Sequence, residues 1–248
     1  YHSLYRRLML GLGVGFYKLG GDTYNSGWLP KDETSLEAWW RYGVGIGTRT
    51  SGDTKYVNVW TDQSGNGHNL EQSDTGEQPV LSVTPGDILF DPTSDTQNLT
   101  LAYGDGPLTG TGTNPVTIKL DAAFVIGIRI HPNTVNTVVM GSNILTNEMF
   151  KIHSSGVIRL KNNGSGGAQD FTLDSGDTRD DAYYVIARDA ENDTTIYKDG
   201  VANPSGAISV PGTFDIDAIG VRRTDTNPYG GIIREIVIFK GVFSTALI

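Results

Sequence analysis

The 248-residue sequence contains no cysteine, which removes a disulfide framework, a thiolate nucleophile and a thiolate metal site, and leaves the redox compartment unmarked. Long apolar stretches are missing too. The longest, Ala122 to Ile128, is strand-sized against the roughly 18 residues that a membrane span needs, so no membrane contact is expected. Positive charge is scarce, with 19 Lys and Arg against 28 Asp and Glu and a net charge of −9. An acidic surface repels phosphate backbones, so nucleic acid is not an expected partner. Charged residues reach only 19% while hydrophobic ones reach 38%, a balance that a disordered chain does not have. What is abundant is glycine, at 32 residues beside 10 prolines, the mark of a turn-dense chain.

From Leu36 onward, apolar residues recur in short β-branched and aromatic runs separated by Gly, Asn, Asp and Ser. Strands are predicted at 36–41, 56–60, 88–90, 98–101, 122–130, 137–140, 148–152, 157–160, 182–188, 194–198, 214–221 and 232–239. In the run Phe214 to Ile219 the apolar residues alternate with Asp215 and Asp217, which predicts a half-buried strand with both acids facing solvent. His153 to Gly156 reads as a hairpin loop, and Asp199-Gly200 as a tight turn. No helical period separates the strands, so βαβ units are disfavoured and two packed antiparallel sheets are expected.

The first residues differ from the rest. Before Asp22 there is no acid, while Arg6, Arg7 and Lys18 are cationic, and Leu4, Tyr5, Leu8, Met9 and Leu12 fall on one face of a short helix that glycines then end. The stretch Leu8 to Phe16 is too glycine-broken for a secretory signal and lacks a small-x-small cleavage site. Its glycines also miss the dinucleotide-binding fingerprint, because no strand precedes them. Residues 1–27 therefore read as a basic, aromatic arm and residues 28–248 as the globular part.

Leu36-Glu-Ala-Trp39-Trp40, Trp60-Thr-Asp62-Gln-Ser64-Gly65-Asn66-Gly67-His68, Gln78-Pro79 and Ile88-Leu-Phe90-Asp91 resemble the opening of laminin-G-like, concanavalin A-like jelly rolls. The likeness continues through Asp121 to Ile128, Phe150 to Gly156, Tyr183 to Arg188, Ile196 to Gly200, Ile219 to Arg222 and Gly231 to Phe239. It implies an all-β, two-sheet antiparallel jelly-roll β-sandwich over residues 28–248, carrying an N-terminal arm. That family spans lectins, glucanases, adhesion modules and phage surface proteins, so the resemblance fixes architecture before function. The Trp60 to Gly67 motif in a cysteine-free, glycine-rich chain is most similar to the bacteriophage virion members.

Catalysis is not expected. Glucanases of this fold project an acid, a helper and a nucleophile from alternate residues of one strand, whereas Asp215, Asp217 and Glu235 do not form such a set. His2, His68, His131 and His153 fall in the arm or in turns, and no nucleophile motif is present. Asp62, Ser64 and Asn66 place oxygens at alternate positions as a calcium loop does, but Ser73 stands where a bidentate Glu should close it. A turn held by Asp62 and Asn66 is the preferred reading, and no cofactor is expected beyond that one Ca2+ alternative. Trp28, Tyr103 and Tyr229, beside glycine or proline, are candidates for stacking on a sugar or anchoring a protein contact. The acids from Asp170 to Asp181 and Asp189 to Asp193 read as solvated turns.

The arm decides the expected function. Tyr1, Tyr5, Arg6 and Arg7 are of the types enriched at interface hot spots, and with Leu4 and Leu8 they form the expected assembly arm. The expectation is a non-catalytic virion structural protein, a capsid-decorating or other surface component of a bacteriophage particle. Its partners would be other virion proteins in a symmetric multi-copy assembly. The alternative is a carbohydrate-binding adhesin module that recognises host-surface glycan.

Overall fold

The computed structural model describes residues 29–84, 86–92, 97–101, 117–142, 148–162, 167–174, 177–221 and 227–241. The arm residues Tyr1, Leu4, Tyr5, Arg6, Arg7 and Leu8, and also Trp28 and Tyr103, lie outside them.

A 3-10 turn, Pro30–Asp32, leads into β1 (Leu36–Trp40), β2 (Ile46–Ser51), β3 (Thr54–Trp60), β4 (Leu70–Glu71), β5 (Val80–Leu81), β6 (Ile88–Phe90) and β7 (Leu99–Leu101). Then come β8 (Ile118–Leu120), β9 (Phe124–Pro132), β10 (Thr137–Gly141), β11 (Glu148–Ser154), β12 (Val157–Lys161) and β13 (Ala168–Thr172). The chain closes with β14 (Ala182–Arg188), β15 (Asp193–Lys198), β16 (Val201–Ala202), β17 (Ile208–Ser209), β18 (Phe214–Ile216), β19 (Ala218–Ile219) and β20 (Gly231–Lys240). Both expected hairpins are present. Ser154 pairs with Val157 around Gly156 at φ 94°, and Lys198 pairs with Val201 around Asp199 and Gly200, both at positive φ, the geometry that a two-residue turn demands.

The fold is all-β and antiparallel, a β-sandwich of two hydrogen-bonded rows of strands. One row runs β15–β14–β9–β20–β1, with β6 also alongside β20. The other runs β3–β4–β7–β19–β10–β11–β12–β13, with β2 beside β3. β5 pairs with both β3 and β6, carrying the hydrogen bonding from one layer round to the other. A small sheet of β8 and β18 completes the set.

Alternation builds the core. On β9, Phe124, Ile126, Ile128 and Ile130 join the main cluster with Ile236 and Ile238 of β20, Ile152 of β11 and Ile158 of β12. The rings of Phe150 and Tyr184, one from each layer, lie 5.3 Å apart. Each fully buried Ile or Phe stabilises the fold by about 1.5–3 kcal/mol, so a chain of this size holds together without disulfides.

One buried cation belongs to this core. Arg188 is 2% exposed, and its guanidinium lies 4.7 Å from the Phe124 ring centroid and 5.7 Å from that of Phe214. It donates to the carbonyls of Leu120 (3.0 Å), Ala122 (2.6 and 3.0 Å), Val210 (3.3 Å) and Gly212 (2.7 Å). Desolvation lowers its pKa, partly countered by Asp121 and Asp189. Arg188 thus ties the β8–β9 link to the stretch before β18, in a fork geometry that lysine lacks.

The expected strand 214–221 is two strands, and its acids are not solvated. β18 pairs with β8, β19 pairs with β7 and β10, and the chain changes partners at Asp217. Asp217 is 2% exposed and Asp215 9%. The Asp217 carboxylate accepts the Ser142 hydroxyl at 2.7 Å, its N–H donates to Gly141, and its carbonyl accepts Leu101 N–H. A strand that switches sheets leaves backbone groups to satisfy, and the buried acid sits at that switch. The acids from Asp170 to Asp181 are also more than turn solvation. Asp170 pairs across strands with Arg159 at 2.7 Å, Asp180 with Lys198 at 2.7 Å, and Asp181 with Arg234 at 2.5 Å.

Candidate functional site

An open depression of about 500 Å³ lies where β5 and β6 join the two layers, lined by Gly43, Gly45, Ile46, Gly47, Thr61, Leu81 and Gly86. Its floor is mostly bare backbone. Gly43 and Gly45, at φ 66° and 71°, shape the β1–β2 turn, which closes through Val44 N–H to Arg41 O and Thr61 N–H to Gly45 O. Left-handed φ at both positions is what glycine alone accepts cheaply. Gly86, at φ 91°, is buried, and a Cβ there would stand 2.8 Å from Tyr42 Cε2 and 2.9 Å from the Gly43 nitrogen. Tyr42 therefore packs on Gly86 and is half-buried.

The polar groups come from the end of β3. Gln63 lies against Gly45, where a Cβ would meet its Nε2 at 2.8 Å, and its amide donates to the Thr61 carbonyl at 3.0 Å. Two core tryptophans fix the rim. Trp60 Nε1 donates to Arg41 O at 3.2 Å, and Trp40 Nε1 to His68 O at 2.8 Å. The acid of the β5–β6 connection, Asp87, is held by Arg234 in a two-point pair of 2.7 and 3.1 Å, so it is not free to act as a base. Ile46 and Leu81 give the hollow apolar walls and Thr61 a hydroxyl, while Tyr42 and Gln63 pack beside its glycines, a mix of the kind that suits an uncharged polar ring.

The Asp62 loop beside it is a brace. Asp62 accepts Trp39 N–H (2.9 Å), Ser64 N–H (2.8 Å), the Ser64 hydroxyl (2.6 Å) and His68 N–H (3.0 Å). Asn66 donates to the carbonyls of Leu36 and Glu37, both at 2.9 Å. Asp62 accepts backbone donors on both oxygens as the turn reading expects, whereas Asn66 does the reverse and donates to carbonyls of β1.

No protein-family model matches the chain, and no curated protein matches it. Among solved structures, a mutant of Trypanosoma rangeli sialidase displaying trans-sialidase activity is similar with a TM-score of 0.52 and 11% identity, covering 86% of this chain and 32% of that one. The binding domain of Paraclostridial Mosquitocidal Protein 1 is similar at 0.45 and 14%, covering 88% and 51%. The binding domain of botulinum neurotoxin serotype D/C is similar at 0.46 and 15%, covering 86% and 50%. This chain spans between a third and about half of their lengths. Likeness at these identities concerns the fold; none of it supports the bacteriophage link.

Of the three aromatic residues expected to meet a ligand, the described residues include Tyr229 alone, and it is no contact. It is fully buried, edge-on to Phe90 at 5.9 Å, with its hydroxyl donating to Ile232 O at 3.2 Å, and burial pushes its phenol well up. The adjacent Gly230 and Gly231 mark close backbone packing instead of a display loop. The depression was missed in the sequence, although Tyr42-Gly-Val-Gly-Ile-Gly47 carries its signal: alternate glycines beside an aromatic.

Glu235 occupies a different face. It is fully buried on β20, accepts Trp39 Nε1–H on Oε1 at 2.8 Å, and has no hydrogen bond to Oε2. Burial pushes its carboxyl up from 4.5 to about 7, against the pull of the Trp39 hydrogen bond and the charges of Arg41 and Arg129. Asp215 and Asp217 belong to β18 and the switch after it, so the three acids weighed for glycosidase chemistry do not line one groove.

Proposed function

We propose that this chain is a glycan-binding module without catalytic activity, and that the glycine-floored depression at the β5–β6 corner is its site. The observation that carries the reading is the open, glycine-floored hollow with Ile46, Leu81 and the Thr61 hydroxyl in its lining, the Tyr42 ring packed against its Gly86 and the Gln63 carboxamide against its Gly45. A ring packs on the apolar face of a sugar while short polar groups meet its hydroxyls. The nearby acid is locked to Arg234, which leaves the hollow able to hold a ligand but not to protonate a glycosidic oxygen.

The test is a glycan array followed by calorimetry on the full chain and on Tyr42→Ala and Gln63→Ala. Expected is saturable binding that weakens at least about tenfold in each variant, the loss of roughly 1.4 kcal/mol of contact energy. Absence of any glycan ligand, or binding indifferent to both substitutions, overturns the reading.

A further inference from the structure

The layer β15–β14–β9–β20–β1 ends at β1, which among the described residues pairs with β20 alone. In an antiparallel strand the N–H and C=O of one residue point to the same side. Trp39 sends both away from β20: its N–H donates to Asp62 Oδ1 at 2.9 Å, and its carbonyl accepts Gln63 N–H at 2.7 Å. Between Leu36 and Ala38 the register with β20 shifts, a bulge that lets two successive carbonyls turn to the same side. Asn66 Nδ2 donates to both, Leu36 O and Glu37 O, at 2.9 Å, and the Ser64 hydroxyl reaches Glu37 O at 3.2 Å. The loop from Asp62 to Asn66 thus supplies donors and an acceptor along β1 where a further strand would supply them. The other open edges differ. Among the described residues, β2 pairs only with β3, and β13 only with β12. No residue of β2 and only Phe171 of β13 is buried, and the two strands carry Arg49 and Asp170, features that discourage strand addition. β1 has four of its five residues buried, and an apolar edge of that kind is a template for another chain unless something covers it.

We propose that the Asp62 to Asn66 loop is an edge guard, and that the strand edge it covers is a self-association site for a second copy of this chain. β1 suits its own copy. Antiparallel pairing of two β1 strands about Ala38 sets Leu36 opposite Trp40 and Glu37 opposite Trp39, so no like charges face each other. Such a pair is two-fold symmetric and occupies both β1 edges, so association stops at a dimer. With the guard in place every one of these outward backbone groups already has its partner, and the chain does not pair.

Asp62→Asn and Asn66→Asp test this, because each keeps the size of the side chain and reverses its hydrogen bonding: the first sets a donor among donors, the second an acceptor against two carbonyls. The full chain and both variants are compared by analytical ultracentrifugation over a range of protein concentrations. Near-ultraviolet circular dichroism checks that the sandwich is intact, and hydrogen exchange reads the Trp39 amide. The expected result is that the variants keep the native spectrum and move toward twice the parent's mass as concentration rises, while the parent does not. In Asp62→Asn the Trp39 amide should exchange quickly when dilute and regain protection as the dimer forms. Gly52→Ala, strained at the β2–β3 turn, controls for destabilisation alone and should keep the parent's mass. Asn66→Asp leaves the Asp62 contacts in place, so the test survives if Asp62→Asn does not fold. Folded variants that keep the parent's mass overturn the proposal. So do association that leaves the Trp39 amide exchanging, assemblies that grow past the dimer, and equal association of Gly52→Ala.

Discussion

Trp39 and Glu235 sit on neighbouring strands of the central layer, and the indole N–H donates to the carboxyl at 2.8 Å on the face opposite the main core. The pair has an energetic consequence. Folding raises the Glu235 pKa from 4.5 to about 7, so between those values the folded chain holds a proton that the unfolded chain has lost. Stability is therefore greatest below the lower value and declines as pH rises through the window, by up to about 3 kcal/mol. Denaturant titrations at pH 4.5, 6 and 8 should show that decline, and Glu235→Gln should flatten it.

Gly86→Ala strains the corner between β5 and β6. An alanine at φ 91° costs about 1–3 kcal/mol, and its methyl collides with Tyr42 and Gly43. The expected result is a lower denaturation midpoint together with weaker glycan binding. Gly52, at φ 58° with open space around it, is the control: Gly52→Ala should lose stability by backbone strain and keep its ligand.

Arg188→Met keeps the length of the side chain but strands the carbonyls of Leu120, Ala122, Val210 and Gly212. Four acceptors losing a charged donor inside a core cost about 3–5 kcal/mol. Arg188→Lys should recover only part of this, because one ammonium cannot span acceptors on two segments. Chemical denaturation of the two variants checks both magnitude and order.

Asp62→Ala releases four donors and unpins the loop from β1. A loss of about 2–3 kcal/mol is expected, with the Trp39 environment altered in fluorescence. Because both carboxylate oxygens already face protein donors, millimolar calcium or a chelator should leave the melting temperature of the parent chain unchanged; a calcium-dependent rise would restore the metal reading.

The strong alternating runs were legible in sequence. β6, β14 and the centre of β9 fall where the pattern puts them, because β-branched residues at period two serve a buried sheet and little else. β2 was not legible: Ile46-Gly-Thr-Arg-Thr-Ser51 has one strong apolar residue and is held by pairing with β3. β13, in a stretch read as acidic turn, pairs with β12 along five residues, burying Phe171 opposite Ile158 and setting Asp170 opposite Arg159. The break at Asp217 was hidden for a related reason, since alternation reports a face and not which sheet it faces. Tyr229 illustrates the limit for sites. Glycine beside an aromatic reads equally as a display loop or as close packing, and only the tertiary position of Phe90 separates the two. The Asp62 turn was legible in its local part, the Asp62 bonds to Ser64 and His68, while its ties to β1 through Trp39, Leu36 and Glu37 were not.

β1 lies hydrogen-bonded to β20, with Trp39 opposite Val237, and β20 also carries β6 and β9. During synthesis, β1, β6 and β9 therefore wait for a common partner that is translated almost two hundred residues after Leu36. β9, β14 and β15 can pair once Lys198 is made, but the ribosome must deliver Lys240 before β1, β6 and the other edge of β9 are matched. Expression at reduced temperature, which slows edge-to-edge sticking, should therefore raise the soluble yield.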